Sequence, residues 1–174
     1  GKSMATIQYI YHCQDQPESN KYNYDHILYF DECDVRHHFY ITLRHLAITF
    51  FGLIEDTNEE DNKKKRDKEI EAFVINQLHT SFQDRNLLVI FDNVDTVSSM
   101  DYIRPLLTTI RDLNSNGYQH RHRHDILVTT RIQGEKLYHL FDEPKDTITL
   151  SDYIYPVQSL SLEASLEFMK HCSL

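Results

Sequence analysis

Residues 86–95 read NLLVIFDNVD: five apolar side chains, Leu87 to Phe91, run without interruption into Asp92, Asn93, Val94 and Asp95. A strand with no polar phase has no face for water, so this pattern predicts a buried strand of a parallel sheet. The acid that ends it would leave the sheet at the C-terminal edge, where open α/β folds bind their ligands.

Working outward, residues 125–131, DILVTTR, repeat the design: a second apolar strand whose end releases Thr129, Thr130 and Arg131 at the same edge. Residues 26–33, HILYFDEC, form a third short, aromatic-rich strand. The segments between them carry helical spacing. Apolar positions 39, 43, 46, 47, 50 and 51 predict a helix over about 37–53, and positions 70, 73, 74, 78 and 82 predict another over 70–82. A further helix is expected around Tyr102 to Leu113, and one with a wide buried face over Met4 to His12. Residues 55–68, EDTNEEDNKKKRDK, hold no apolar side chain and read as a solvated loop or a frayed helix start. Beyond Arg131, TITL and YIYPVQSL are extended, and LEASLEFMKHC is a closing amphipathic helix opened by Ser161. Helices alternating with apolar strands argue for an α/β fold, a parallel sheet covered on both faces.

Composition narrows the function classes. A chain of 174 residues is one domain or most of one, and 40% apolar with 26% charged residues is a globular mixture. A net charge of −9 argues against nucleic acid or an anionic membrane as partner, since both require basic surface. Cys13, Cys33 and Cys172 are odd in number and lack CxxC spacing, which predicts reduced thiols and a cytoplasmic location. The longest apolar run, LAITFFGLI at 46–54, is about half the ~20 residues a bilayer-spanning helix needs, so no membrane partner is expected.

The chain begins Gly1-Lys2-Ser3 and passes directly into the first helix pattern. In a loop of the type GxxxxGK[ST], backbone N–H groups and a helix N-terminus cradle phosphates. The lysine then reaches the β and γ oxygens, and the hydroxyl holds Mg²⁺. A lone GKS has little specificity. Followed by an apolar strand ending in Asp92, and by a second ending in Arg131, it belongs to an ordered set of three signals at one sheet edge. A guanidinium at that edge can grip a γ-phosphate through two N–H groups and so tell triphosphate from diphosphate.

With these pieces the chain resembles the NB-ARC domains of the STAND class of P-loop NTPases. The resemblance lies in GKS with its helix, LLVIFDNVD as the Walker B strand and ILVTTR as the arginine-bearing sensor strand. It extends to VQSLSLEASLEFM as the following strand and helix, and to YDHILYFDECDVRHHFYITLRHLA as a strand–helix unit. It implies a three-layer P-loop NTPase core with strand order 5-1-4-3-2. Residues 1–174 would then be a partial NB-ARC domain lacking the first, central strand, the start of the phosphate loop, and the downstream helical and winged-helix subdomains. Gly1, Lys2, Ser3 and Met4 would bind the phosphates of ADP or ATP, Ser3 and Asp92 would hold Mg²⁺, and Arg131 would sense the γ-phosphate. The implied function is an ADP/ATP switch in immune or cell-death signalling. Its partners would be a winged-helix domain and a repeat sensor of the same chain, and further copies of itself on activation.

One departure bears on catalysis. Asn93 stands where many hydrolysing relatives carry a second acid, and an amide cannot take a proton from water, so hydrolysis would be slow unless Asp95 substitutes. Two alternatives remain: a nucleotide-binding scaffold without hydrolysis, and a protein-interaction module that binds no nucleotide. Separately, His120, His122 and His124 alternate within YQHRHRHD, a spacing that could hold zinc or nickel on an extended segment, although a polar loop is the plainer reading.

Overall fold

A computed structural model describes residues 2–15, 23–54, 63–115, 122 and 124–132. The elements run in order α1 (Lys2–Asp15), β1 (His26–Phe30), α2 (Arg36–His45), α3 (Lys63–Ser81), β2 (Leu87–Phe91), α4 (Val97–Ser115) and β3 (His124–Val128). The three strands form one parallel sheet in the order β1-β2-β3. This is an α/β fold, and the described strands lie side by side in the order of the sequence.

β2 is buried at all five positions, as its unbroken apolar run requires. Leu87, Val89 and Phe91 point into a core that also holds Leu28 and Phe30 of β1, Phe39 and Leu43 of α2, Val74 and Leu78 of α3, and Ile103, Leu106 and Ile110 of α4. Leu88 and Ile90 alternate to the other face and are buried as well, at 2% and 0% exposure. Successive parallel strands laid side by side, each joined by a right-handed crossover, place the connecting helices on one face. This explains why α2, α3 and α4 share a core.

Aromatic rings fill the centre of that core. Phe30 stacks on both Phe39 and Phe91, with ring centroids 5.5 and 5.2 Å apart. Such pairs contribute about 0.5–1.5 kcal/mol each beyond the area they bury.

Several boundaries differ from the sequence expectation. α4 begins at Val97, five residues before Tyr102, because Thr96 caps it: the Thr96 hydroxyl oxygen accepts the Ser99 N–H at 3.2 Å. α3 begins at Lys63, so the basic half of the charged segment is helical from its first described residue. α2 gives way to a five-residue π-helical turn, Leu46–Phe50, closed where the Phe51 N–H reaches the Leu46 carbonyl at 3.2 Å. α1 starts at Lys2, two residues before the expected Met4, and its apolar face is not buried as a whole: Met4, Ile7 and Tyr11 are exposed, while Thr6 is buried. β3 is half-buried beyond His124 rather than wholly buried, which corrects its reading as a second fully covered strand. The predicted TITL, YIYPVQSL and LEASLEFMKHC elements lie outside the described residues.

No described helix is long and apolar enough to cross a membrane.

Candidate functional site

Register decides what the sheet presents at its C-terminal edge. Phe30 pairs with Phe91 and Phe91 with Val128, so the three strands end flush. The next residue of each, Asp31, Asp92 and Thr129, therefore emerges in one row.

Asp92 is the centre of this row. It has no exposed surface, and buried carboxylates need partners. It finds them on three elements. The Tyr29 hydroxyl of β1 donates to Oδ2 at 2.9 Å, the Thr129 hydroxyl donates to Oδ1, and the Ser3 hydroxyl of α1 lies close enough to favour the ionised carboxylate. Burial opposes ionisation. Even so, the hydrogen bonds from Ser3, Thr129, Tyr29 and the Asn93 backbone N–H prevail and hold the carboxyl below the usual carboxylate range. Tyr29 is displaced the other way: burial, and then its bond to the Asp92 carboxylate, push its hydroxyl above the usual tyrosine value.

The loops beyond the strands continue the pairing of β2 with β3. The Asn93 N–H donates to Thr129 Oγ1 at 3.0 Å, the Val94 N–H to the Thr129 carbonyl at 2.9 Å, and the Thr130 hydroxyl to the Val94 carbonyl at 2.6 Å. Asn93 adopts φ 59°, in the left-handed region that asparagine tolerates better than most residues. Asp95 then meets Arg131 twice, accepting its backbone N–H on Oδ1 and its Nε–H on Oδ2, each at 2.6 Å.

On the β1 side, the chain turns sharply after Phe30. Glu32 takes φ 48°, its N–H donating to Asp31 Oδ1 at 2.7 Å, and its carboxylate pairs with His38 of α2. The Cys33 N–H returns to the Asp92 carbonyl at 2.9 Å. This turn replaces the strand expected as far as Cys33.

A cavity of about 470 Å³ opens beside the edge, lined by Ser3, by Glu32, Asp34 and His38, and by Asn93 and Arg131. Its volume lies in the range of small-molecule sites. Its walls carry mixed charge, with two acids facing one arginine and one histidine. Sequence reasoning had named Ser3, Asn93 and Arg131. It did not name Glu32, Asp34 and His38, which the turn after β1 and the first turn of α2 bring to the cavity.

Of the other expected site residues, Met4 lies in the first turn of α1 and is 46% exposed, and Lys2 opens that helix. Gly1 lies outside the described residues. Of the three alternating histidines, His124 is the first, buried residue of β3, with its Nε2 2.8 Å from the Phe82 carbonyl, His122 is exposed, and His120 lies outside the described residues. Among the described residues, no group of three or more His, Cys, Asp or Glu side chains could hold a metal ion.

No protein-family model, no curated protein and no solved structure matches this chain. On fold, it is an α/β protein with a parallel three-stranded sheet. The likeness to NB-ARC domains rests on the motifs themselves.

Proposed function

We propose that the chain is the nucleotide-binding part of an ADP/ATP switch, similar to NB-ARC domains, in which hydrolysis is slow. The observation that carries this reading is the arrival of Ser3 at the end of β2, where it lines one cavity with Asn93 and favours the ionised form of Asp92. A serine at the start of the first helix and an aspartate at the end of a central buried strand lie far apart in sequence. Their meeting is what a phosphate site requires, because both must reach the same Mg²⁺.

The donor set suits that ion. A hydroxyl and a carboxylate are hard oxygen ligands, and Asp92 is held ionised. Ser3 and Asp92 would hold the metal, which when bound neutralises phosphate charge. Lys2 and the amides that open α1 would bind phosphate oxygens, and Arg131, which lines the same cavity as Ser3, would contact the terminal phosphate.

Slow turnover follows from the neighbours of Asp92. Asn93 offers no base, and the Asp95 carboxylate uses a bond from each oxygen on Arg131. A protein that binds two nucleotides but interconverts them slowly suits a switch, provided the two favour different conformations. Signalling in immunity or cell death, a cytoplasmic location, and partners in a winged-helix domain, a repeat sensor and further copies of the chain belong to the same proposal through the resemblance.

The test is the nucleotide content of the purified full-length protein beside its Lys2→Ala variant, read by denaturing each and separating the released bases. ADP or ATP near one per chain, lost in the variant, is expected. A wild-type protein free of nucleotide that also takes up none on incubation overturns the reading and favours a protein-interaction module.

A further inference from the structure

We propose that Asp95 is a positioning residue: it aims the Arg131 guanidinium into the cavity and thereby sets how strongly the site distinguishes nucleoside triphosphate from diphosphate. This rests on the nucleotide-switch reading above.

The geometry is a two-point clamp on one residue. The Arg131 backbone N–H to Oδ1 fixes the main chain, and Nε–H to Oδ2 fixes the side chain, both at 2.6 Å. The two partners differ in environment: 5% of the Asp95 side chain is exposed against 73% of that of Arg131. A nearly buried carboxylate thus anchors a solvent-facing cation. Exposed ion pairs between two long, mobile side chains contribute little. This pair differs because it is the last rung of a ladder. Asn93 to Thr129, Val94 to Thr129 and Thr130 to Val94 lead directly into it from the paired strands.

The atom engaged matters. Binding through Nε leaves the two terminal amino groups, which form no hydrogen bond among the described residues, as a planar fork. That fork belongs to a residue lining the same cavity as Ser3. A fork already held loses less freedom when a phosphate arrives than a free arginine would. The benefit accrues only to the ligand that reaches it. ADP lacks the terminal phosphate, so Asp95 should alter the preference between nucleotides rather than binding as such.

The experiment measures equilibrium affinity for ADP and for a non-hydrolysable ATP analogue on the full-length protein. Wild type, Asp95→Asn, Arg131→Ala and the double variant are compared. Losing one charge-assisted contact should lower the analogue-to-ADP affinity ratio about tenfold in each single variant. ADP affinity should change much less, and the double variant should fall no further than Arg131→Ala, because the two residues act through one group. A ratio unchanged or raised in Asp95→Asn, with Arg131→Ala lowered, overturns the inference and leaves the switch reading standing. Wild type that binds neither nucleotide overturns both.

A measurement on the unaltered protein guards against a variant that fails to fold. The Arg131 Nε–H signal in ¹⁵N spectra should exchange slowly with water both without ligand and with the ATP analogue bound. Loss of that protection on adding the analogue would mean that the guanidinium leaves Asp95 to bind, making the contact a competing latch and overturning the positioning role.

Discussion

The Tyr29 hydroxyl donates to Asp92 Oδ2 at 2.9 Å, joining the ends of two neighbouring strands across 63 residues of sequence. Replacing Tyr29 by Phe keeps the ring and removes one donor from a carboxylate that has no exposed surface. Hydrogen bonds to charged groups contribute about 1.5–3 kcal/mol, so Tyr29→Phe should lower stability by roughly that amount in urea unfolding. An unchanged midpoint would mean that Ser3 and Thr129 satisfy the carboxylate without it.

Acid should weaken the same network in a defined direction. The folded-state value of Asp92 lies below the ordinary carboxylate value near ~3.9. Its ionised form therefore contributes stability that is fully present above that value and is lost as pH falls through the lower folded one. Compared with Asp92→Asn, whose side chain does not titrate, wild type should keep a constant margin from about pH 7 to pH 5. Below about pH 4 that margin should shrink. A margin independent of pH would show that Asp92 contributes nothing through its charge.

The core centres on Phe91, which has no exposed surface and stacks on Phe30. Phe91→Ala would leave a cavity beneath three helices at a cost of about 3–5 kcal/mol, enough to unfold a marginally stable domain. Circular dichroism at increasing temperature checks this. A loss below about 1 kcal/mol would mean that the helices close over the gap.

Cys33 is fully buried, and its thiol donates to the Phe30 carbonyl at 3.2 Å. Burial pushes this thiol up to about 12, against the opposing hydrogen bond from the chain at Asp92. The thiolate is the reactive form, so alkylation of the Cys33 peptide at neutral pH should be at least ~100-fold slower in the folded protein than in denaturant. Mass spectrometry of the digested protein gives both rates, and equal rates would contradict the burial.

What the sequence revealed followed from how strongly each residue constrained its neighbours. The five apolar positions of β2 allowed no exposed face, and that strand and its parallel partners were legible from residue type alone. Helices with clear apolar spacing were legible too, but their ends were not. Thr96 extends α4 by capping it, a signal present in the chain but outweighed by a search for apolar periodicity. The turn at Glu32 was hidden because DEC continues an aromatic strand with no glycine or proline to mark the break.

The site was half legible. Asp92 and Arg131 were placed by the strands they terminate. That Asp95 and Arg131 would grip one another depends on the flush register of β2 with β3, which no single segment encodes. Nor could spacing separate His124 from its neighbours, since alternation looks the same in a loop and in the first residue of a strand.

The Asp92 carboxylate draws its donors from residues 3, 29 and 129, three regions brought together only by the finished fold. It is thus a tally of assembly: a chain that has docked two of these segments still holds a dry, under-solvated negative charge and gains by docking the third. Completing this edge and docking α1, β1 and β3 around β2 are therefore coupled, each segment favouring the docking of the others.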